Sequence, residues 1–166
     1  SRSLRALAVA LALVSPALAE DLPAPQGDVI LTVSGNIAVT NADGKALFDD
    51  KMLAALGTVD IETTTIWTEG RHRFTGVPLK ALTDRLGITE GRLMMTAIND
   101  YLIEIPVSDA VEGGPILAFA MDGEVMSVRD KGPLWLLYPF DDNPTYQSEV
   151  YYSRSIWQLD RIEATP

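Results

Sequence analysis

Few residues in this chain can do covalent or redox chemistry. The 166 residues include no cysteine and one histidine, His72, in the run "EGRHRF" at 69–74. No carboxylate or serine is spaced with His72 as in a recognisable catalytic motif, so surface or structural duty outweighs catalysis there. Lack of thiols excludes zinc–thiolate, iron–sulfur and cysteine-nucleophile chemistry. No HExxH, GxSxG, phosphate-loop or GxGxxG pattern occurs. Adjacent carboxylates stand at Asp49-Asp50 and Asp141-Asp142. The first pair reads as a solvated helix face and the second as a loop before Asn143-Pro144. A glycosidase-type acid pair has nothing further to recommend it.

What remains is a set of polar and aromatic groups gathered in the second half: Asn99, Asp100 and Tyr101, Arg129, Trp135, Tyr138, Arg154, Ser155 and Trp157. The last five belong to or flank the runs "PLWLLYPF" and "YYSRSIWQLDRI". Arginine beside exposed aromatics suits a planar, polar ligand, and the concentration of these types points to a binding site. Each has a plainer reading. Trp135 and Trp157 sit in apolar strands and would serve as core, and Arg154 would be a solvated edge charge.

The elements that must position these groups are short. Val29, Leu31 and Val33 alternate with Ile30, Thr32 and Ser34, which predicts a strand. "NADG" at 41–44 predicts a turn. Phe48, Met52 and Leu56 recur at helical spacing before Gly57. "TVDIETTTIW" returns to β-branched character. In "TGVPLKALTDRLGI", Pro78 falls in a first turn and Leu79, Leu82 and Leu86 form one stripe, a short amphipathic helix. The runs "RLMMTAI", "YLIEIPV", "PILAFAMDG", "EVMSV", "PLWLLYPF" and "SRSIWQLDRIEA" read as strands split by Asn-Asp, Gly-Gly, Asp-Gly and Lys-Gly-Pro turns. Low helix content without βαβ alternation predicts an α+β or mainly-β sandwich rather than a doubly wound sheet.

Residues 1–19 read as a signal peptide. Arg2 and Arg5 precede an apolar run from Ala6 to Val14, and Ala17-Leu18-Ala19 fits a cleavage site. The run is too short to span a bilayer, which takes ~20 residues. The chain then reads as a Pro-rich leader at 20–27 and one domain at 28–166, exported and without a membrane span after cleavage. Formal charge is −10, or −12 once Arg2 and Arg5 are removed. Such a surface repels nucleic acid and anionic membranes, and solubility is its simplest purpose.

In order along the chain, "GVPLKALTDRLGI", "INDYLIEIP", "GPILAFAMDGEVMSVRDKGPLWLLYPF" and "SRSIWQLDRI" resemble the molybdopterin-binding domain of sulfite-oxidase-type enzymes, over roughly residues 60–163. The resemblance implies that family's fold, a mixed α+β sandwich-like domain. It also implies a molybdenum-ligating cysteine near Thr64 or Thr65, where a hydroxyl is a poor substitute for a soft thiolate. It places Trp135 and Trp157 where the family carries an arginine and a lysine for the cofactor. Two lost cations weaken a phosphate grip and two indoles add stacking surface.

The chain also resembles a small exported branch of that family, pterin-binding proteins that regulate a membrane-bound signalling partner controlling cyclic di-GMP. That resemblance implies a periplasmic sensor with a metal-free pterin as ligand and disfavours a molybdenum cofactor. Within it, Trp157 or Trp135 would stack, Asp100 or Asn99 would accept from the 2-amino edge, and Arg154 or Ser155 would donate to the 4-oxo group. Trp67 and Arg71, beside the vanished cysteine, would close the pocket. A molybdenum-dependent oxidoreductase and a ligand-free interaction domain are the competing expectations.

Overall fold

The computed structural model describes residues 21–166. The segment read as a signal peptide lies outside the described residues. Ten strands form two sheets. The first runs β2 (Ala46–Phe48), β1 (Leu31–Gly35), β10 (Leu159–Thr165), β5 (Arg92–Ala97), β6 (Leu102–Pro106). The second runs β3 (Val59–Thr65), β4 (Thr68–Pro78), β7 (Ile116–Met121), β8 (Glu124–Val125), with β9 (Trp135–Leu137) also paired to β7. Three short helices, α1 (Asp50–Ala54), α2 (Leu79–Arg85) and α3 (Glu149–Arg154), complete it. The fold is mostly β in two sheets with short helices, as the element pattern and the resemblance both imply.

One hydrophobic cluster draws on both sheets. Leu31, Val33, Leu93, Met95, Ile105 and Ile162 come from the first, and Phe74, Val77, Leu117 and Leu136 from the second. Alternation explains β1: Leu31 and Val33 are fully buried while Thr32 and Ser34 are not. The β1–β10 pairing is parallel and joins the two ends of the domain, with Thr32 opposite Arg161. The glycine in Gly76-Val77-Pro78-Leu79, at the end of β4, has a steric reason. A Cβ on Gly76 would lie 2.2 Å from the Leu117 carbonyl oxygen, so only glycine lets β4 run this close to β7. The register slips at this point, between Thr75 and Gly76.

Helix α2 follows as expected, with Leu79, Leu82 and Leu86 buried. Two expected elements differ. Phe48 is not on a helix; it ends β2 opposite Leu31, and α1 spans only five residues with Leu53 as its buried side chain. Asp49 is not on a solvated face. It is the buried N-cap of α1, accepting from the Met52 amide at 2.8 Å and from the Gln26 and Gly27 amides at 2.9 and 3.1 Å. These bonds, led by that from Met52, hold its carboxyl below the usual range. They also fasten the Pro-rich stretch to the domain, where Leu22 is buried and Asn41 donates to the Pro23 carbonyl.

The larger correction concerns the run "SRSIWQLDRIEA", expected to be a strand, and the "YY" before it. This stretch is not one strand. Glu149–Arg154 is helix α3, residues 155–158 are an irregular link that bends at Gln158, and β10 begins at Leu159. Ser148 at the N-cap, Glu149 in the first turn and Arg154 in the last are ordinary helix signals. The aromatic and β-branched residues between them favour a strand by propensity, and tertiary contacts overrode that preference.

Candidate functional site

Three loops converge on one aromatic cleft. The β3–β4 hairpin turns through Ile66-Trp67, and the Thr65 hydroxyl accepts from the Trp67 and Thr68 amides at 3.1 and 3.0 Å. That bond pair fixes Trp67 at the turn. The β5–β6 turn is closed by Ala97 and Tyr101, whose amide and carbonyl meet at 2.8 Å, with Asp100 at a φ of 68°. Asn99 accepts from the Tyr101 amide through its side chain. The third segment, 155–158, is laid against β9 by bonds from the Leu136 amide to the Ile156 carbonyl and from the Gln158 amide to the Lys131 carbonyl.

Between these loops lies a cleft of about 380 Å³, lined by Trp67, Ala97, Asn99, Tyr101, Tyr152, Ser153, Ser155, Ile156, Trp157 and Gln158. Its volume falls in the range of small-molecule sites. Trp67 is the hub: its ring centroid is 5.9 Å from Tyr152 and 5.7 Å from Trp157, both edge-on. Trp67, Tyr152 and Trp157 all line the cleft, so aromatic surface is presented to a ligand there. Polar groups come from Asn99, Ser153, Ser155 and Gln158. No lysine, arginine or carboxylate lines the cleft. Lys131 stands behind one wall, its ammonium 5.6 Å from the Trp157 ring and 5.5 Å from that of Trp135.

Of the residues expected at the site, the structure brings together Trp67, Asn99, Tyr101, Ser155 and Trp157. The other six stand elsewhere. Trp135 is wholly buried, donating from its indole to the Ser155 carbonyl at 3.2 Å, so it backs the cleft as core and offers no stacking face. Asp100 faces Arg161 at 2.7 Å, and Arg161 also bonds the Ala97 carbonyl, bracing the turn from outside. The Asp100 bond leads the causes that raise the Arg161 pKa. Arg71 is tied to Asp141 at 3.3 Å and Glu62 at 3.8 Å, on another face. Arg129 is exposed on the loop before Lys131.

Arg154 and Tyr138 share one partner. Arg154 binds Asp109 at 2.8 Å and lies over the Tyr151 ring, and the Tyr138 hydroxyl donates to the same Asp109 oxygen at 2.7 Å. Burial, with Asp109 adding to it, pushes the Tyr138 hydroxyl far above its usual range. This triad, with Tyr138 buried and Asp109 and Arg154 partly so, anchors the end of α3 and so the wall that carries Tyr152 and Ser155. Tyr152, Ser153 and Gln158 were not singled out from the sequence. A helix turning Tyr152 inward, and a φ of 53° at Gln158, leave no local signature.

The sequence also gave no partner for His72 or for Asp141. His72 meets the Asp122 carboxylate at 2.6 Å through Nδ1 and the Glu69 carbonyl at 2.7 Å through Nε2. Both partners are acceptors, so the doubly protonated ring fits this position. Its pKa is raised, chiefly by the Asp122 bond. Asp141 accepts from the Thr64 amide at 2.8 Å and the Thr64 hydroxyl at 2.7 Å, and the hydroxyl bond leads the lowering of its pKa.

A model of the oxidoreductase molybdopterin binding domain matches residues 51–141. That is more than half of the chain, which therefore belongs to this family. No curated protein matches it at a significant level. The matched stretch ends before α3, so the wall formed by Tyr152 to Gln158 lies beyond it.

The family's cofactor can be tested against this donor set. There is no cysteine. Thr64 and Thr65, at the positions where the resemblance places one, spend their hydroxyls on Asp141 and on the Thr68 side chain and hairpin amides. Among the described residues no group of histidines and carboxylates could hold a metal. The cleft also lacks a cation for a phosphate. These residues do not fit a phosphorylated, metal-bearing dithiolene.

Proposed function

We propose that this protein is a binding module of the molybdopterin-binding family that takes a metal-free, uncharged pterin-type heterocycle in the aromatic cleft. The observation that carries this reading is the lining itself: Trp67, Tyr152 and Trp157 with Asn99, Ser155 and Gln158, and no charged side chain. A pterin presents two flat faces and one edge of alternating donors and acceptors. Aromatic surface serves the faces, and side-chain amides and hydroxyls serve the edge. Asn99 or Gln158 can give an amide N–H to the 4-oxo group, and the Ser155 and Ser153 hydroxyls, whose protons go to the Tyr151 and Val150 carbonyls, are left as acceptors for the 2-amino and N3–H edge. A binding module rather than a catalyst also accords with the lack of cysteine and with a cleft lined by no histidine or carboxylate among the described residues.

On the same reading, the signal-like N-terminal segment makes the protein a periplasmic sensor, and its liganded form regulates the external domain of an inner-membrane signalling protein of the cyclic di-GMP type. The test is titration of the purified mature protein with a free pterin and with its phosphate ester, following pterin fluorescence anisotropy. Saturable binding of the free pterin, with the ester at least tenfold weaker, is expected. Tighter binding of the ester, or molybdenum near one equivalent with turnover of sulfite or a sulfoxide, would overturn the reading in favour of the enzyme. Binding of neither leaves a ligand-free interaction domain.

A further inference from the structure

A second groove, of about 660 Å³, opens between strand β3, helix α2 and the loops at 112–114 and 139–142, and shares no residue with the aromatic cleft. Its floor is apolar: Val59, Ile61, Pro78, Ala81, Ile116 and Pro139. Its rim is acidic. Asp84, Glu112 and Asp142 line it with one cation, Lys80, whose ammonium is already held by Asp84 at 2.6 Å. The rim thus keeps net negative charge.

One side of the groove is a free sheet edge. β3 ends the strand order of its sheet, and among the described residues the backbone of 59–62 bonds only to β4. Open edges are commonly shielded by charged side chains. Here the charges of β3 are turned away. Asp60 and Glu62 alternate to the face opposite Val59 and Ile61, where Asp60 accepts from Thr75 at 2.6 Å and Glu62 meets Arg71. Val59, with 40% of its surface exposed, is left on the groove side.

We propose that this groove docks an extended segment of a partner protein in which apolar side chains alternate with lysine or arginine. The apolar side chains enter the floor and the segment's backbone pairs with the free edge of β3, which turns the alternate cations to the opposite face beside Asp60 and Glu62, while the rim carboxylates Asp84, Glu112 and Asp142 add the negative field that favours a cationic segment. The overall charge of −10 draws such a segment in. A second copy of this chain is a poor occupant, because it would bring its own acidic rim against this one.

The probe is a dye-labelled peptide of alternating lysine and leucine, added to the mature protein and followed by anisotropy, beside a peptide of alternating glutamate and leucine. The lysine peptide is expected to bind, and the glutamate peptide at least tenfold more weakly. Ala81→Trp, which fills the groove without changing charge, should weaken the lysine peptide at least tenfold. Should that variant melt far below wild type, Val59→Asp replaces it. Added negative charge strengthens mere electrostatic attraction, whereas loss of the apolar floor weakens docking at least tenfold. Absence of binding, equal binding by wild type and the filled or charged variant, or a wild-type dimer that excludes the peptide would each overturn the proposal. Pterin titration reads the other cleft, so this proposal and the pterin reading fail separately.

Discussion

Replacing Trp157 by alanine removes one wall of the aromatic cleft and leaves the buried Trp135 behind it in place. Truncating a wholly buried tryptophan costs ~3–5 kcal/mol. Trp157 keeps 37% of its surface exposed. Scaled to its buried part, the loss of stability is roughly 2–3 kcal/mol. It includes the edge-on contacts with Trp67 at 5.7 Å and Trp135 at 6.3 Å and the Lys131 ammonium over the ring. For a domain of this size each kcal/mol moves the melting temperature by about 2–4 °C, so a fall of ~5–10 °C is expected. Trp135→Ala, at a position with no exposed surface, should lose the full ~3–5 kcal/mol and melt ~6–20 °C early. Binding separates the two tryptophans further. Loss of the Trp157 ring should weaken pterin by at least about tenfold, or ~1.4 kcal/mol, while Trp157→Phe restores much of it. The assay is calorimetric melting beside anisotropy titration well below the variant's melting temperature. Wild-type affinity in folded Trp157→Ala would refute the cleft assignment, and a melting loss equal to that of Trp135→Ala would make Trp157 a core residue.

Three other substitutions test the scaffold. Asp109→Ala leaves Arg154 and the Tyr138 hydroxyl without their shared acceptor, and breaking a largely buried pair should cost about 3 kcal/mol by urea unfolding and loosen ligand binding. Gly76→Ala forces a Cβ against the Leu117 carbonyl and should cost ~1–3 kcal/mol, read from the same unfolding curves. The His72–Asp122 pair predicts a pH profile. His72 has a raised pKa, so its contribution is complete below the unfolded value of about 6.5 and is lost as pH rises through the folded value. Asp122 has a lowered pKa, chiefly through the Arg73 amide, so its contribution is present above about 3.8 and is lost as pH falls through the folded value. Urea midpoints in His72→Gln should lose the decline on the alkaline side.

Much of the framework is local and was legible in the residues. The alternation of Leu31 and Val33, the stripe of Leu79, Leu82 and Leu86, and the turns at Asp-Gly and Asn-Asp follow from periods and turn chemistry that act over a few residues. The absence of cysteine, which removes thiolate ligation of molybdenum, needs no coordinates at all. The site was half legible for the same reason. Residue types marked Trp67, Asn99, Tyr101, Ser155 and Trp157, but type alone gave equal standing to Arg154, Asp100 and Trp135. Their fates were settled by partners distant in the chain: Asp109 for Arg154, 45 residues away, and Arg161 for Asp100, 61 away. Trp135 sits in a strand as apolar as any other, and only its neighbours on both sides make it core. The helical form of Glu149–Arg154 was decided likewise, because its propensity is too weak to prevail over a fraction of a kcal/mol per residue. Local sequence determines which backbone shapes are cheap; which side chains share a cleft depends on long-range pairing, and that free energy exists only once the chain has closed.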